Sequence, residues 1–117
     1  MTVHKFNTFE EYEEIVEKSK EKPVMVGFSR DGCQSCIDVA PIYEEVSNDF
    51  DIDFYKIHFT RDVSEELATK FENIRIQAFP TFILIAHGCE FHKSVQGSPE
   101  GAREWFAYLK KALKTGS

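Results

Sequence analysis

Runs of apolar residues alternate along this chain with segments in which apolar residues recur every three or four positions. A continuous or alternating apolar run predicts a strand, and the three-to-four spacing predicts an amphipathic helix. Strands are predicted at 3–6, 24–28, 53–59, 80–86 and 90–95, with helices beginning near residues 9, 33, 62 and 98. This order predicts an α/β fold with right-handed crossovers and a mixed sheet covered on both faces.

Capping signals mark three of the helix starts. Thr8 and Glu11 have the spacing of a capping box, and so do Asp62 and Glu65. Ser98 precedes a proline that would occupy the first helical position, where a missing backbone N–H costs nothing. These signals predict that the first, third and fourth helices begin directly after Thr8, Asp62 and Ser98.

The second helix and the last two strands carry further predictions. Pro41 lies inside the second helix and predicts a kink, because the apolar spacing continues beyond it. The strands at 80–86 and 90–95 are separated by a loop short enough for an antiparallel hairpin, and Gly116 follows the last helix. The inner faces of the second and fourth helices are predicted to carry Cys36, Val39, Ala40, Tyr43, Val46, Phe50, Ala102, Trp105, Phe106, Leu109 and Leu113.

Composition and charge exclude several classes of function. The 117 residues are 42% hydrophobic and 29% charged, which predicts one folded domain over 1–117. A net charge of -6 without a Lys/Arg cluster does not favour nucleic-acid binding. Residues 1–9 lack a signal-peptide pattern, and the longest apolar stretch, 82–86, is too short to span a bilayer. We therefore expect a cytoplasmic, reducing compartment and no membrane partner.

Two of the three cysteines are separated by two residues, as Cys33-Gln34-Ser35-Cys36. This spacing in a chain without a secretory signal indicates redox or metal chemistry. Cys33 lies where a strand is predicted to pass into a helix, and a helix N-terminus favours a thiolate, so Cys33 is the candidate nucleophile. Cys36 lies one helical turn further on and is the candidate resolving thiol. Such a pair needs no cofactor.

Two other interpretations of the cysteines stay open. The pair could be inert thiols on a degenerate site. A structural zinc would need four ligands, and because no second cysteine pair exists, Cys89 would have to converge with His58, His87 or His92. We expect no metal. Cys89 itself is interpreted as a packed or surface thiol, with a regulatory or dimerising disulfide as the alternative.

The residues around the cysteine pair resemble the thioredoxin family over nearly the whole chain. Residues 26–28, 33–36 and 40–41 resemble the family's strand, active-site turn and kinked helix. Residues 79–81 resemble its cis-proline turn, and Gly88 and Gly97 match its glycines around the last strand. The resemblance implies the thioredoxin fold, a central mixed five-stranded sheet flanked by four helices.

The resemblance also implies an activity and a binding surface. The implied activity is reduction or exchange of protein disulfides, with a reductase or another dithiol donor as partner, and we expect a monomer. Pro80 would follow a cis peptide bond, and an extended substrate would bind through main-chain hydrogen bonds. The implied substrate-binding residues are Gly32, Gln34, Ser35, Phe79, Pro80 and Gly97.

The chain departs from the family pattern next to the dithiol. Gly27 stands where the family has a buried Asp that helps to deprotonate the resolving thiol, so we expect Lys56 to lack an acidic partner and Gly27→Asp to speed resolution. Ser29 and Gly32 replace two tryptophans. These losses keep open a second function, a non-enzymatic adaptor that binds partner proteins through the same groove. Arg30 is interpreted as a solvated loop charge or as a stabiliser of the Cys33 thiolate.

Overall fold

A computed structural model describes residues 3–114 of the chain. Five strands and four helices follow the predicted order. Their bounds are β1 Val3–Lys5, α1 Phe9–Lys18, β2 Val24–Arg30, α2 Gln34–Ser47, β3 Asp53–Phe59, α3 Glu65–Asn73, β4 Thr81–Ala86, β5 Cys89–Val95 and α4 Pro99–Lys114. Gly116, expected after the last helix, lies outside the described residues.

The five strands form one mixed sheet in the order β1-β3-β2-β4-β5. β3 runs parallel to both β1 and β2, whereas β4 is antiparallel to β2 and β5 is antiparallel to β4. The predicted thioredoxin fold, with its mixed sheet and terminal hairpin, is confirmed. In the β2–β3 register Gly27 pairs with Lys56 and Ser29 with His58, so all four residues point to the same face of the sheet.

Each face of the sheet is covered by two helices, and each layer buries its own hydrophobic cluster. On one face α2 and α4 contribute Tyr43 and Phe106, which pack with Met25 of β2. On the other face α1 and α3 contribute residues that pack with Val26, the next residue of β2. Successive residues of β2 therefore enter opposite cores, which explains why its sequence is continuously apolar. Trp105 packs against the first cluster, as its place in the apolar stripe predicted.

Three details differ from the sequence prediction. The N-cap of α3 is Ser64, whose hydroxyl accepts from the Leu67 N–H, because the Asp62 carboxylate is already bonded to the Thr60 hydroxyl in the preceding turn. Ala40 was predicted to lie on the inner face of α2 but is exposed. The β4–β5 turn contains only residues 87–88, both at positive φ, as a two-residue hairpin turn requires.

Candidate active site

The cysteine pair lies where β2 passes into α2. Cys33 is the N-cap of α2, and its Sγ accepts the backbone N–H of Cys36 at 3.1 Å. The two cysteines have Cα atoms 5.3 Å apart and are joined as a disulfide. Because the Cys33 sulfur receives an otherwise unpaired N–H of the first helical turn, the helix start is arranged to stabilise negative charge on that sulfur.

The two sulfurs differ in access. Cys33 is half-buried, whereas Cys36 is 5% exposed. Cys33 Sγ lies 3.7 Å from the carbonyl oxygen of Phe79, the residue before Pro80. Cys33 is therefore the more accessible of the two sulfurs to an incoming disulfide.

The predicted substrate-binding residues fall into two groups around the dithiol. Phe79 and Pro80 lie against it, and their peptide bond is cis, as the resemblance implied. Gly97 lies beside Ser35, because a side chain added at position 97 would meet Ser35 Oγ at 4.0 Å. These residues form one surface with Cys33.

The remaining two predicted binding residues are more peripheral. Gln34 directs its side-chain amide to the Asp38 carboxylate, 2.9 Å away along α2. Gly32 adopts φ +72°, a conformation that suits glycine, and lies close to the guanidinium of Arg61. Its backbone flanks Cys33, while its missing side chain leaves the approach to the dithiol open.

Cys36 lines a cavity of about 50 Å³ between β2, β3 and α2. The cavity wall includes Ser29, Glu44 and Lys56, together with Gly27, Phe28, Ala40, Tyr43, Pro80 and Phe82. Lys56 was expected to lack an acidic partner, and this expectation is wrong. Its ammonium lies 2.9 Å from a carboxylate oxygen of Glu44, because α2 brings that acid over the strand.

An aromatic ring occupies the space beside Gly27. A Cβ at this position would meet Tyr43 Cε2, Tyr43 Cζ and Phe82 Cε1, each at 3.1 Å. The Tyr43 hydroxyl donates to the Tyr55 carbonyl at 2.7 Å, and burial raises the pKa of Tyr43 well above its usual value. The buried acid of the family pattern is thus replaced by packing, and the side chain of a Gly27→Asp variant would meet two rings before reaching Cys36.

A hydrogen-bonded chain of side chains, which the sequence analysis missed, runs from this cavity to the loop before Cys33. The Ser29 hydroxyl lies 2.8 Å from His58 Nδ1, and His58 Nε2 lies 2.7 Å from Asp31 Oδ1. The His58 bond, followed by the N–H of Arg61 on the other carboxylate oxygen, lowers the pKa of Asp31. Ser29 and His58 are paired in the register of β2 and β3.

An open groove of about 600 Å³ lies beside Phe79. Its wall includes Arg30, Arg61, Val63, Glu72, Ile76 and Gln77. The Arg30 guanidinium lies over the Phe79 ring, 5.2 Å from its centroid. Ile37, directly after the dithiol, is 65% exposed and adds apolar surface on the other side.

Three features away from the dithiol are the third cysteine, metal-binding groups and membrane-spanning helices. Cys89 is exposed at the start of β5, so the structure agrees with a surface thiol. Within residues 3–114 no group of three or more His, Cys, Asp or Glu side chains is arranged to hold a metal ion. Over the same range, no helix combines the length and apolar character that crossing a bilayer requires.

Comparison with known proteins agrees with this geometry. The sequence model of the family described as Thioredoxin matches residues 3–111. Thioredoxin of Geodia cydonium is 34% identical over 104 residues, covering 87% of this chain and 93% of that protein. Thioredoxin Y, chloroplastic, of Oryza sativa subsp. japonica is 33% identical over 110 residues and covers 94% of this chain, which spans 62% of the rice protein.

Solved structures show the same relation. The crystal structure of the reduced thioredoxin pre-protein of Schistosoma mansoni superposes with a TM-score of 0.72 at 29% identity. The match covers 92% of this chain and 98% of that one. With the Cys33–Cys36 pair at the start of α2, these similarities make the chain a thiol-disulfide oxidoreductase that belongs to the thioredoxin family.

Proposed function

We propose that the protein reduces or exchanges disulfides of protein substrates, with Cys33 as the attacking thiol and Cys36 as the resolving thiol. The observation that carries this proposal is the position of Cys33 as N-cap of α2, where its sulfur accepts a backbone N–H at 3.1 Å. Its greater exposure relative to Cys36 supports the same assignment.

Both steps balance without a cofactor. The Cys33 thiolate attacks one sulfur of the substrate disulfide, forms a mixed disulfide and releases the other sulfur as a thiolate that takes a proton from water. Cys36 then loses its proton, attacks Cys33 Sγ and displaces the second substrate thiolate. Two electrons pass from the dithiol to the substrate, and the Cys33–Cys36 disulfide is the product.

The proposed substrate surface consists of Gly32, Gln34, Ser35, Phe79, Pro80 and Gly97. Its support is the contact of the Phe79 carbonyl with Cys33 and the proximity of Gly97 to Ser35, which lies between the two cysteines in the chain. Main-chain hydrogen bonding to an extended peptide suits a broad class of protein disulfides. The groove lined by Arg30 and Arg61 is proposed to hold the segment next to the substrate disulfide.

The proposed partners follow from the chemistry. A reductase or another dithiol donor must return the Cys33–Cys36 disulfide to the dithiol after each turnover. We also propose a single domain over 1–117 that works as a monomer in a cytoplasmic, reducing compartment, without nucleic-acid or membrane partners. The net charge of -6 supports the exclusion of nucleic acid.

An insulin-reduction assay with a dithiol donor tests the proposal. Turnover is expected from the wild-type protein, none above buffer from Cys33→Ser, and unchanged turnover from Cys89→Ser. Wild-type turnover equal to buffer, together with retained binding of a partner protein, would instead favour the adaptor function. Alkylation of the reduced protein provides a second check, since Cys33 should be labelled before Cys36, and faster labelling of Cys36 would reverse the two roles.

A further inference from the structure

The resolving thiol must lose a proton where its own access to solvent is small. Cys36 is 5% exposed, and its side chain lines the 50 Å³ cavity. A cavity of this size has room for at least one water, which needs two or more polar partners. Ser29, Glu44 and Lys56 supply such partners on the cavity wall.

From this geometry we propose that the Ser29–His58–Asp31 chain is a proton relay that deprotonates Cys36 during resolution of the mixed disulfide. The proposal rests on the proposed function, because it assigns a role within its second step. The proposed relay includes one water held in this cavity, and Ser29 and His58 act through that water as positioning residues for the reaction.

The hydrogen-bond pattern decides the tautomer of His58. Asp31 has a lowered pKa and is a carboxylate at neutral pH, so it only accepts, and His58 Nε2 must carry the hydrogen that it receives. In the neutral ring Nδ1 is then the acceptor, and the Ser29 hydroxyl donates to it across 2.8 Å. The free lone pairs of Ser29 Oγ remain available to the cavity that Cys36 shares.

The relay step conserves atoms and charge. The cavity water takes the proton of the Cys36 thiol and passes one of its own protons to Ser29 Oγ, while the Ser29 hydroxyl proton moves to His58 Nδ1. His58 becomes an imidazolium held by the Asp31 carboxylate, and the Cys36 thiolate attacks Cys33 Sγ. The imidazolium then returns its proton to solvent, since His58 is 49% exposed.

The charged and titratable groups around this relay lie on β3, on α2 and in the loops that follow β2 and β3. Asp31 follows β2, Lys56 lies on β3, Arg61 follows β3, and Tyr43 and Glu44 lie on α2. Glu44 is the competing base on the cavity wall, and one of its carboxylate oxygens is engaged by the Lys56 ammonium at 2.9 Å. Histidine changes charge near neutral pH, which suits a general base there.

The test follows both thiol steps with dithiobis(nitrobenzoate), a chromogenic disulfide, in a Cys89→Ser background. Attack by Cys33 on one equivalent of reagent releases the first coloured thiolate, and resolution by Cys36 releases the second. We expect Ser29→Ala and His58→Asn to slow the second phase at neutral pH by about tenfold or more, within the range of general-base effects. The first phase should change little.

A pH profile and matched variants separate the relay from a structural role. The pH profile of the wild-type second phase should show an inflection that the Ser29→Ala and His58→Asn variants lose, because without the relay the rate follows thiol ionisation alone. Ser29→Thr keeps the hydroxyl and should retain most of the rate. His92→Asn, which removes an imidazole packed on Tyr108, should behave as wild type.

Three results would overturn the relay. The first is a second phase in Ser29→Ala and His58→Asn with the wild-type rate and pH profile. The second is a loss of the inflection in Glu44→Gln with none in His58→Asn. The third is a Ser29→Thr variant as slow as Ser29→Ala. In each case an intact first phase that depends on Cys33 would leave the proposed function standing, whereas absence of the first phase in the wild type would refute the proposed function itself.

Discussion

Gly27→Ala tests whether aromatic packing has taken the place of the family's buried acid. The added Cβ would lie 3.1 Å from two atoms of Tyr43 and one of Phe82, closer than real Cβ contacts normally come. Other contacts hold both rings in place. Tyr43 is tied to the Tyr55 carbonyl by a 2.7 Å hydrogen bond, and Phe82 packs between Tyr43 and Phe106 with ring centroids 5.0 and 5.3 Å away.

The expected cost follows from two opposing effects. Overpacking a well-filled core by one methyl group typically costs about 1–3 kcal/mol. Replacing glycine by alanine lowers the entropy of the unfolded chain and returns about 0.4–1 kcal/mol. We therefore expect Gly27→Ala to lower the free energy of unfolding by about 1–2 kcal/mol. With a urea dependence of about 2 kcal/mol per molar, the midpoint should fall by about 0.5–1 M.

The assay is urea unfolding of the oxidised proteins, with Gly97→Ala as matched control. A Cβ at Gly97 would meet only Ser35 Oγ, at 4.0 Å, so this variant should be more stable than the wild type by the entropy effect alone, about 0.4–1 kcal/mol. In a Tyr43→Leu background, which removes one ring, the cost of Gly27→Ala should shrink by about 1 kcal/mol. Equal stability of Gly27→Ala and Gly97→Ala, or an equal cost in both backgrounds, would refute the packing argument.

Three further predictions concern the dithiol, the alkaline limit and the groove. Cys36→Ser should accumulate mixed disulfides at Cys33, visible by mass after mixing with a disulfide substrate, and no trapped species would contradict two-step exchange. Burial raises the pKa of Tyr12 to about 12. The stability that this buried neutral phenol contributes is therefore fully present below the pKa of about 10 that it has in the unfolded chain, and it is lost as the pH rises towards 12. At about 1.4 kcal/mol per pKa unit, this contribution to the free energy of unfolding is about 2–3 kcal/mol. Tyr12→Phe should therefore flatten the fall in unfolding free energy at alkaline pH. An identical pH slope in this variant would show that Tyr12 is not the source of the fall. Arg61→Ala should raise KM for substrates with acidic residues beside the disulfide and leave kcat unchanged, whereas an equal KM would remove the groove from the substrate surface.

The order of strands and helices along the chain was predictable because each of these elements leaves a local pattern in the sequence. The dithiol was predictable because a two-residue separation at a strand-to-helix junction allows few other interpretations. The first residue of a helix was harder to predict than the helix itself. Asp62 and Ser64 both resemble an N-cap, and the choice between them depends on the Thr60 hydroxyl, which already holds the Asp62 carboxylate in the preceding turn.

Contacts between distant segments were not predictable from local patterns. The Lys56–Glu44 pair depends on how α2 lies over β3, and the filling of the space at Gly27 depends on a ring from that same helix. The sequence indicates the Ser29–His58 bond only once the register of the two strands is known. Two polar residues occupy facing positions near the ends of neighbouring strands, and the pairing of β2 with β3 must be known before they can be matched.

The departures from the family pattern are physically connected. Because Gly27 has no side chain, the Tyr43 ring packs against β2 beside it, and no acid at this position serves Cys36. The next residue on the same face of β2 is Ser29, whose hydroxyl bonds His58 from the wall of the cavity that Cys36 lines. A tryptophan there could also donate through its indole N–H, but its ring is far larger than a hydroxymethyl group and would fill the cavity. A small hydroxyl at this position therefore both preserves the cavity and links it to an exposed imidazole. In the proposed relay, proton transfer from Cys36 runs through position 29, two residues along the strand from the position of the family's acid.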